Sequence, residues 1–132
     1  MPLAGSMRSR SIFFISLVFV VLWSFQVMGA EEKTEGRRLY LIYCSGCHGE
    51  SGKGNGPAAS SLPAKPANHT DGNVMNQLPD KELMEVISKG GAAVGKSPIM
   101  PAWGAQLKEK QIREIISHIR SLAVPPYKPA EK

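Results

Sequence analysis

Cys44-Ser45-Gly46-Cys47-His48 contains both cysteines of the 132-residue chain, and its reading decides the rest of the molecule. Three chemistries compete for it. Two cysteines in an exported protein usually form a disulfide. A C-x-x-C pair can also be a redox dithiol, which wants a strand before it and a helix after it. C-x-x-C followed at once by His is the attachment sequence of a c-type haem. The disulfide leaves His48 without a task, and the dithiol reading fails on context, because helical spacing precedes the motif and a glycine-rich loop follows it. Haem attachment uses all three side chains: two thiols add to two vinyl groups, and the next residue brings an imidazole to the iron from the same turn.

Working outward, Leu39, Tyr40, Ile42 and Tyr43 recur at spacings of three and four, which predicts a helix from Thr34 to about Cys47. Gly36 falls one turn before Tyr40 on the same face. From Gly49 to Pro66 the density of Gly and Pro predicts a loop with one short turn near Ala58. Asp80 is the expected N-cap of a second helix bearing Leu83, Met84, Val86 and Ile87 and ended by Gly90. A second loop runs from Gly91 to Gly104. Ile112, Ile115, Ile116, Ile119 and Leu122 predict a last helix that stops before Pro125 and Pro126, although Lys108 is a poor residue to cap it. No stretch alternates long enough for a strand, so the fold class is all-α.

The first thirty residues read differently. Arg8 and Arg10 precede an apolar run from Ile12 to Trp23, and Val27 to Ala30 ends it in small residues, the layout of a secretory signal. The run is short for a spanning helix, which needs about 20 apolar residues, so cleavage near Gly29 or Ala30 is favoured over a retained anchor. The expected organisation is a leader at 1–30, one domain at 31–124 and a flexible tail at 125–132. All four Phe and one of two Trp lie in the leader, which leaves the domain short of large side chains. A bound cofactor would fill that deficit. Setting aside Arg8 and Arg10 lowers the formal charge from +5 to +3, and the remaining lysines are dispersed singly, which excludes a nucleic-acid stripe.

At this point the sequence resembles the class I c-type cytochromes. The resemblance rests on Cys44 to His48, on Gly36-Arg37-Arg38-Leu39-Tyr40 upstream, Gly49 to Pro57 downstream, Ser97-Pro98-Ile99-Met100-Pro101-Ala102-Trp103, and the final helix ending Ile119-Arg120-Ser121-Leu122-Ala123. It implies a small helical globule around one haem c, held by Cys44 and Cys47, with His48 and Met100 as axial iron ligands, working as an electron carrier. The residues agree. Met100 stands between Pro98 and Pro101 in a stiff loop suited to a fixed thioether, whereas Met84 reads as core filler and Met75 as unconstrained. His69 reads as a surface loop residue, with a second imidazole ligand as its minor alternative. His118 takes a place where the family commonly has Tyr or Trp, packing on the first helix near Gly36 and Tyr40. The Gly56-Pro57 carbonyl is the family-like acceptor for the second N–H of His48, and Trp103 the neighbour of a haem propionate.

Two strong protein ligands leave no open coordination position, which argues against catalysis on a small molecule. The leading expectation is a periplasmic electron carrier docking transiently with redox proteins, steered by Lys53 and Lys96. No nucleic acid or small-molecule substrate is expected, and membrane association arises only through the leader. The alternatives are an inner-membrane-anchored subunit of one oxidoreductase, and a haem enzyme or gas sensor with a displaceable Met100.

Overall fold

A computed structural model of the chain describes residues 34–129. The expected leader, its exit near Ala30 and the last three residues lie outside the described residues. Those described are helical, without a strand among them.

The first helix, α1, covers 34–43, and after a one-residue turn at Cys44 a short helix α2 runs Ser45–His48. The break is slight. Cys44 N–H donates to Tyr40 O and His48 N–H to Cys44 O, both at 2.9 Å, so the backbone ladder crosses it. The loop that follows has its one 3-10 turn at Ala59–Ser61, one residue beyond the expected place. A further short helix, α3 (Gly72–Met75), was not legible from periodicity; it starts where the Asp71 carboxylate accepts from Asn73 N–H.

Helix α4 spans Asp80–Lys89 and ends at Gly90, whose φ of 85° suits glycine. The expectation that Asp80 caps this helix is corrected: Pro79 holds the extended cap position, and Asp80 is the first helical residue. Proline's fixed φ presets that start, which frees the Asp80 carboxylate to accept from Arg120. Helix α5 spans Glu109–Leu122 and buries Ile112, Ile115, Ile116 and Ile119 as one stripe. Its start is better specified than Lys108 suggests, because Gln111 Oε1 accepts from Lys108 N–H at 2.9 Å, the return half of a capping box.

The core joins Leu39 and Tyr40 of α1, Leu83 and Ile87 of α4, Leu107 and the isoleucine stripe of α5. Gly36 decides how closely α1 and α5 approach. A Cβ there would lie 2.1 Å from the Glu114 carbonyl oxygen, so no larger residue fits. His118 lies at the same crossing, edge-on to Tyr40 with centroids 5.0 Å apart, as expected for an aromatic slot.

Arg120 ties the end of α5 to the segment before α4. Its guanidinium donates to the carbonyls of Met75 (2.5 Å) and Leu78 and to Asp80, and it lies 4.0 Å over the Tyr127 ring. Pro125 also meets the fold, accepting from Asn76 Nδ2 at 3.0 Å. An isolated parallel bridge pairs Asp71 with Val124.

Candidate functional site

Cys44, Cys47, His48 and Met100 line one cavity of about 380 Å³. This brings together the four residues singled out in the sequence. The remaining wall is largely apolar, with Leu62, Met75, Leu78, Leu83, Val86, Ile87 and Ile119 contributing. Met75, read as unconstrained, is buried at 3 % exposure and belongs to this wall. It stands among Asn73, Val74, Asn76 and Gln77 without an apolar period, and only its burial in α3 shows its place.

The helical turn of α2 sets the cysteines and histidine. Cys44 stands at its start, Cys47 and His48 one turn on, so the three side chains issue from a single helical turn. The two cysteines form no disulfide with each other. Burial pushes the Cys44 thiol up to about 12, with neighbouring Cys47 adding to the effect. The Gly49 to Ala58 loop wraps this turn: Gly54 N–H donates to His48 O, Gly56 N–H to Cys47 O and Ala58 N–H to Gly46 O. Gly56 must be small, because a Cβ would meet the carbonyl oxygens of Ser45 and Gly46 at 2.5 Å.

His48 is buried, and its Nδ1–H donates to the carbonyl of Ala67 at 3.0 Å. The expected acceptor, the Gly56-Pro57 carbonyl, is thereby corrected. The loop around Gly56 is engaged with the backbone of α2, and the later strand of chain at Ala67 reaches the ring instead. With Nδ1 donating, Nε2 keeps its lone pair for a metal. Burial lowers the pKa of His48, opposed by the Ala67 bond.

His69 is also corrected. It is buried rather than a surface loop residue, lines the same cavity, and stacks on His48 with centroids 4.2 Å apart and planes 18° from parallel. Two imidazoles lying face to face cannot approach one iron from opposite sides, so the minor alternative of a second imidazole ligand conflicts with this geometry. Burial drives its pKa down to about 3, helped by the neighbouring His48 and His118.

Met100 is held from behind. Gly91 N–H donates to Met100 O at 3.0 Å, Trp103 N–H to Ile87 O and Gly104 N–H to Ser88 O, both at 2.9 Å. The 97–104 loop is thus fastened along the end of α4. Gly90 and Gly91 permit the approach, since a Cβ on either would come within 3.0 Å of Met100 atoms. Trp103 lines the cavity and meets Tyr43 edge-on at 5.1 Å. Ile42 and Ile99 are exposed large apolar residues on the lining of the same cavity. Lys65 and Lys96 line it too, Lys96 pairing with Glu82 at 2.9 Å, whereas Lys53 does not.

Two cysteine sulfurs outside any disulfide, an imidazole with one nitrogen anchored, a thioether and an apolar chamber fit a covalently attached haem. Together with the strandless helical fold they define a c-type cytochrome domain. The family model described as cytochrome c oxidase, cbb3-type, subunit III matches residues 31–119, and the chain belongs to this family. It is 30 % identical over 91 residues to the cbb3-type cytochrome c oxidase subunit FixP of Bradyrhizobium diazoefficiens, covering 69 % of this chain and 28 % of the relative. It is 28 % identical over 88 residues to FixP of Azorhizobium caulinodans, covering 67 % of this chain and 26 % of the relative. The chain therefore spans about a quarter of the length of these relatives. The family implies covalent haem c as the cofactor and an exported protein, periplasmic or membrane-anchored. No helix among the described residues is long and apolar enough to cross a membrane.

Proposed function

We propose that Cys44 and Cys47 hold the haem by thioethers and that His48 and Met100 are its two axial ligands, in a domain that relays single electrons between exported redox proteins. The observation that carries this is the convergence of all four side chains on one apolar cavity, with His48 Nδ1 committed to Ala67. The haem supplies a reversible one-electron couple. The protein's residues do the rest. Ala67 fixes the tautomer of His48, the Gly90-Gly91 pair admits the Met100 loop, and the apolar wall excludes water, which together with a thioether ligand favours a raised potential.

Partners are redox proteins that dock transiently at the cavity mouth. Ile42 and Ile99 supply apolar contact there, and Lys65 and Lys96 supply positive charge. The leader is removed, giving a periplasmic carrier. A second reading, a subunit of one respiratory oxidoreductase, is supported by the likeness to FixP.

The test combines a redox titration of the haem-loaded protein with exposure of its reduced form to carbon monoxide. A single one-electron wave and no uptake of the gas are expected. Rapid uptake would point to an open iron position and to a sensor or enzyme. Mass of the protein from periplasmic and membrane fractions separates the two carrier readings, since a mature start near Ala30 excludes anchoring by the leader.

A further inference from the structure

We propose that His69 is a positioning residue for the axial imidazole, its stacked ring fixing the rotation of the His48 plane about the iron–nitrogen bond. The inference rests on the reading of His48 as an iron ligand.

The Ala67 bond alone leaves this rotation loose. A hydrogen bond tolerates misalignment of some tens of degrees before it weakens steeply, so the ring can swing out of plane while Nδ1 still donates. A flat neighbour at stacking distance resists that swing, because tilting drives ring atoms into contact. His69 provides such a neighbour, with ring centroids 4.2 Å apart and planes within 18°.

The stack works only if His69 is itself fixed, and it is held at two points. Its backbone N–H donates to Gly52 O at 2.7 Å, and its Nδ1 hydrogen-bonds the Tyr40 hydroxyl at 3.0 Å. Tyr40 is fully buried in the core, so this anchor does not move with solvent. Gly52 keeps the space open: a Cβ there would lie 3.2 Å from His69 Cβ, 3.5 Å from the Tyr40 hydroxyl and 2.7 Å from Leu122. Ala67 and His69 are two residues apart, so a single short stretch of chain supplies both the acceptor for Nδ1 and the plate against the ring face. Plain cavity filling would be served as well by an aliphatic side chain. A planar ring bonded to a buried hydroxyl and lying parallel to the ligand restrains an angle.

The orientation of an axial imidazole plane controls how unpaired spin is shared among the haem pyrroles, which proton NMR of the ferric protein reads through the haem-methyl shifts. The experiment compares haem-loaded parent, His69→Leu, His69→Phe and Tyr40→Phe. The expected result is an altered order or spread of methyl shifts in His69→Leu, and smaller changes of the same sense in His69→Phe, which keeps a flat ring but loses the Tyr40 bond, and in Tyr40→Phe. A parent-like pattern in His69→Leu overturns the proposal, as does a His69→Phe pattern displaced as far as that of His69→Leu. Should His69→Leu not assemble, Tyr40→Phe decides: an unchanged pattern overturns the proposal and a shifted one supports it. The underlying reading is judged separately on the parent, by whether its ferric spectrum carries the methionine–iron charge-transfer band and its NMR spectrum the shifted resonances of a liganded histidine.

Discussion

His48 Nδ1 lies 3.0 Å from the carbonyl oxygen of Ala67, nineteen residues further along the chain. This bond couples the attachment turn to a loop without regular structure. The imidazole is therefore aimed by two pieces of chain at once: α2 sets where the ring starts, and Ala67 sets which nitrogen faces the cavity.

Removing one thiol should leave the haem attached through the other. For Cys44→Ala and Cys47→Ala the expected mass after denaturation is that of the polypeptide plus haem, and for the double variant the polypeptide alone. Covalent haem surviving in the double variant would contradict the assignment of both thiols.

Gly36→Ala should destabilise the crossing of α1 and α5, because its Cβ would fall 2.1 Å from the Glu114 backbone oxygen, which cannot rotate away. Overpacking of this kind costs about 1–3 kcal/mol and occasionally more, and each kcal/mol lowers the melting temperature by roughly 4–8 °C in a domain this small. Thermal unfolding of the haem-loaded variant checks it; a melting temperature equal to the parent's would mean the helices separate without cost.

These cases mark what the sequence made legible. The motif from Cys44 to His48, the stiff Met100 loop and the isoleucine stripe of α5 are local patterns, and each stands where its pattern implied. Ala67, His69 and Met75 were misread or passed over because their roles come from tertiary approach: no periodic pattern marks His69 or Met75 as buried, and nothing local marks the exposed Ala67 as the acceptor for His48. Asp80 was misread for a different reason, since Pro79 and Asp80 both suit a helix start and only the arrival of Arg120 from forty residues away shows which one caps.

Arg120→Met should loosen the wall of the cavity behind Met75 and Leu78. The substitution takes the guanidinium from the Leu78 carbonyl and leaves the Met75 carbonyl only its longer bond from Leu78 N–H at 3.3 Å, and an acceptor left unsatisfied away from water costs about 1–3 kcal/mol. Chemical denaturation should show a lower midpoint for Arg120→Met, while Asp80→Asn, at an exposed partner, should change it far less. Equal losses in the two variants would assign the effect to the ion pair rather than to the carbonyls.

Acid should weaken the α1–α5 crossing through His118. Burial, and after it the Arg37 guanidinium, lowers the pKa of this half-buried ring, which faces Tyr40 and has an Nε2 without a hydrogen-bond partner. The folded state then binds fewer protons than the unfolded state. Stability from this residue is full above the ordinary value of about 6.5 and is lost as pH falls through the lower folded value. Melting temperatures taken at neutral and mildly acid pH should fall more for the parent than for His118→Phe. Parallel losses would remove His118 from the acid response.

The pairing of His48 with Met100 on one iron is tested most directly by the ferric absorption spectrum of the haem-loaded protein beside that of Met100→Ala. The account predicts a weak red charge-transfer band from methionine sulfur in the parent and its loss in the variant. A band absent from both, or present in both, would contradict Met100 as the sixth ligand.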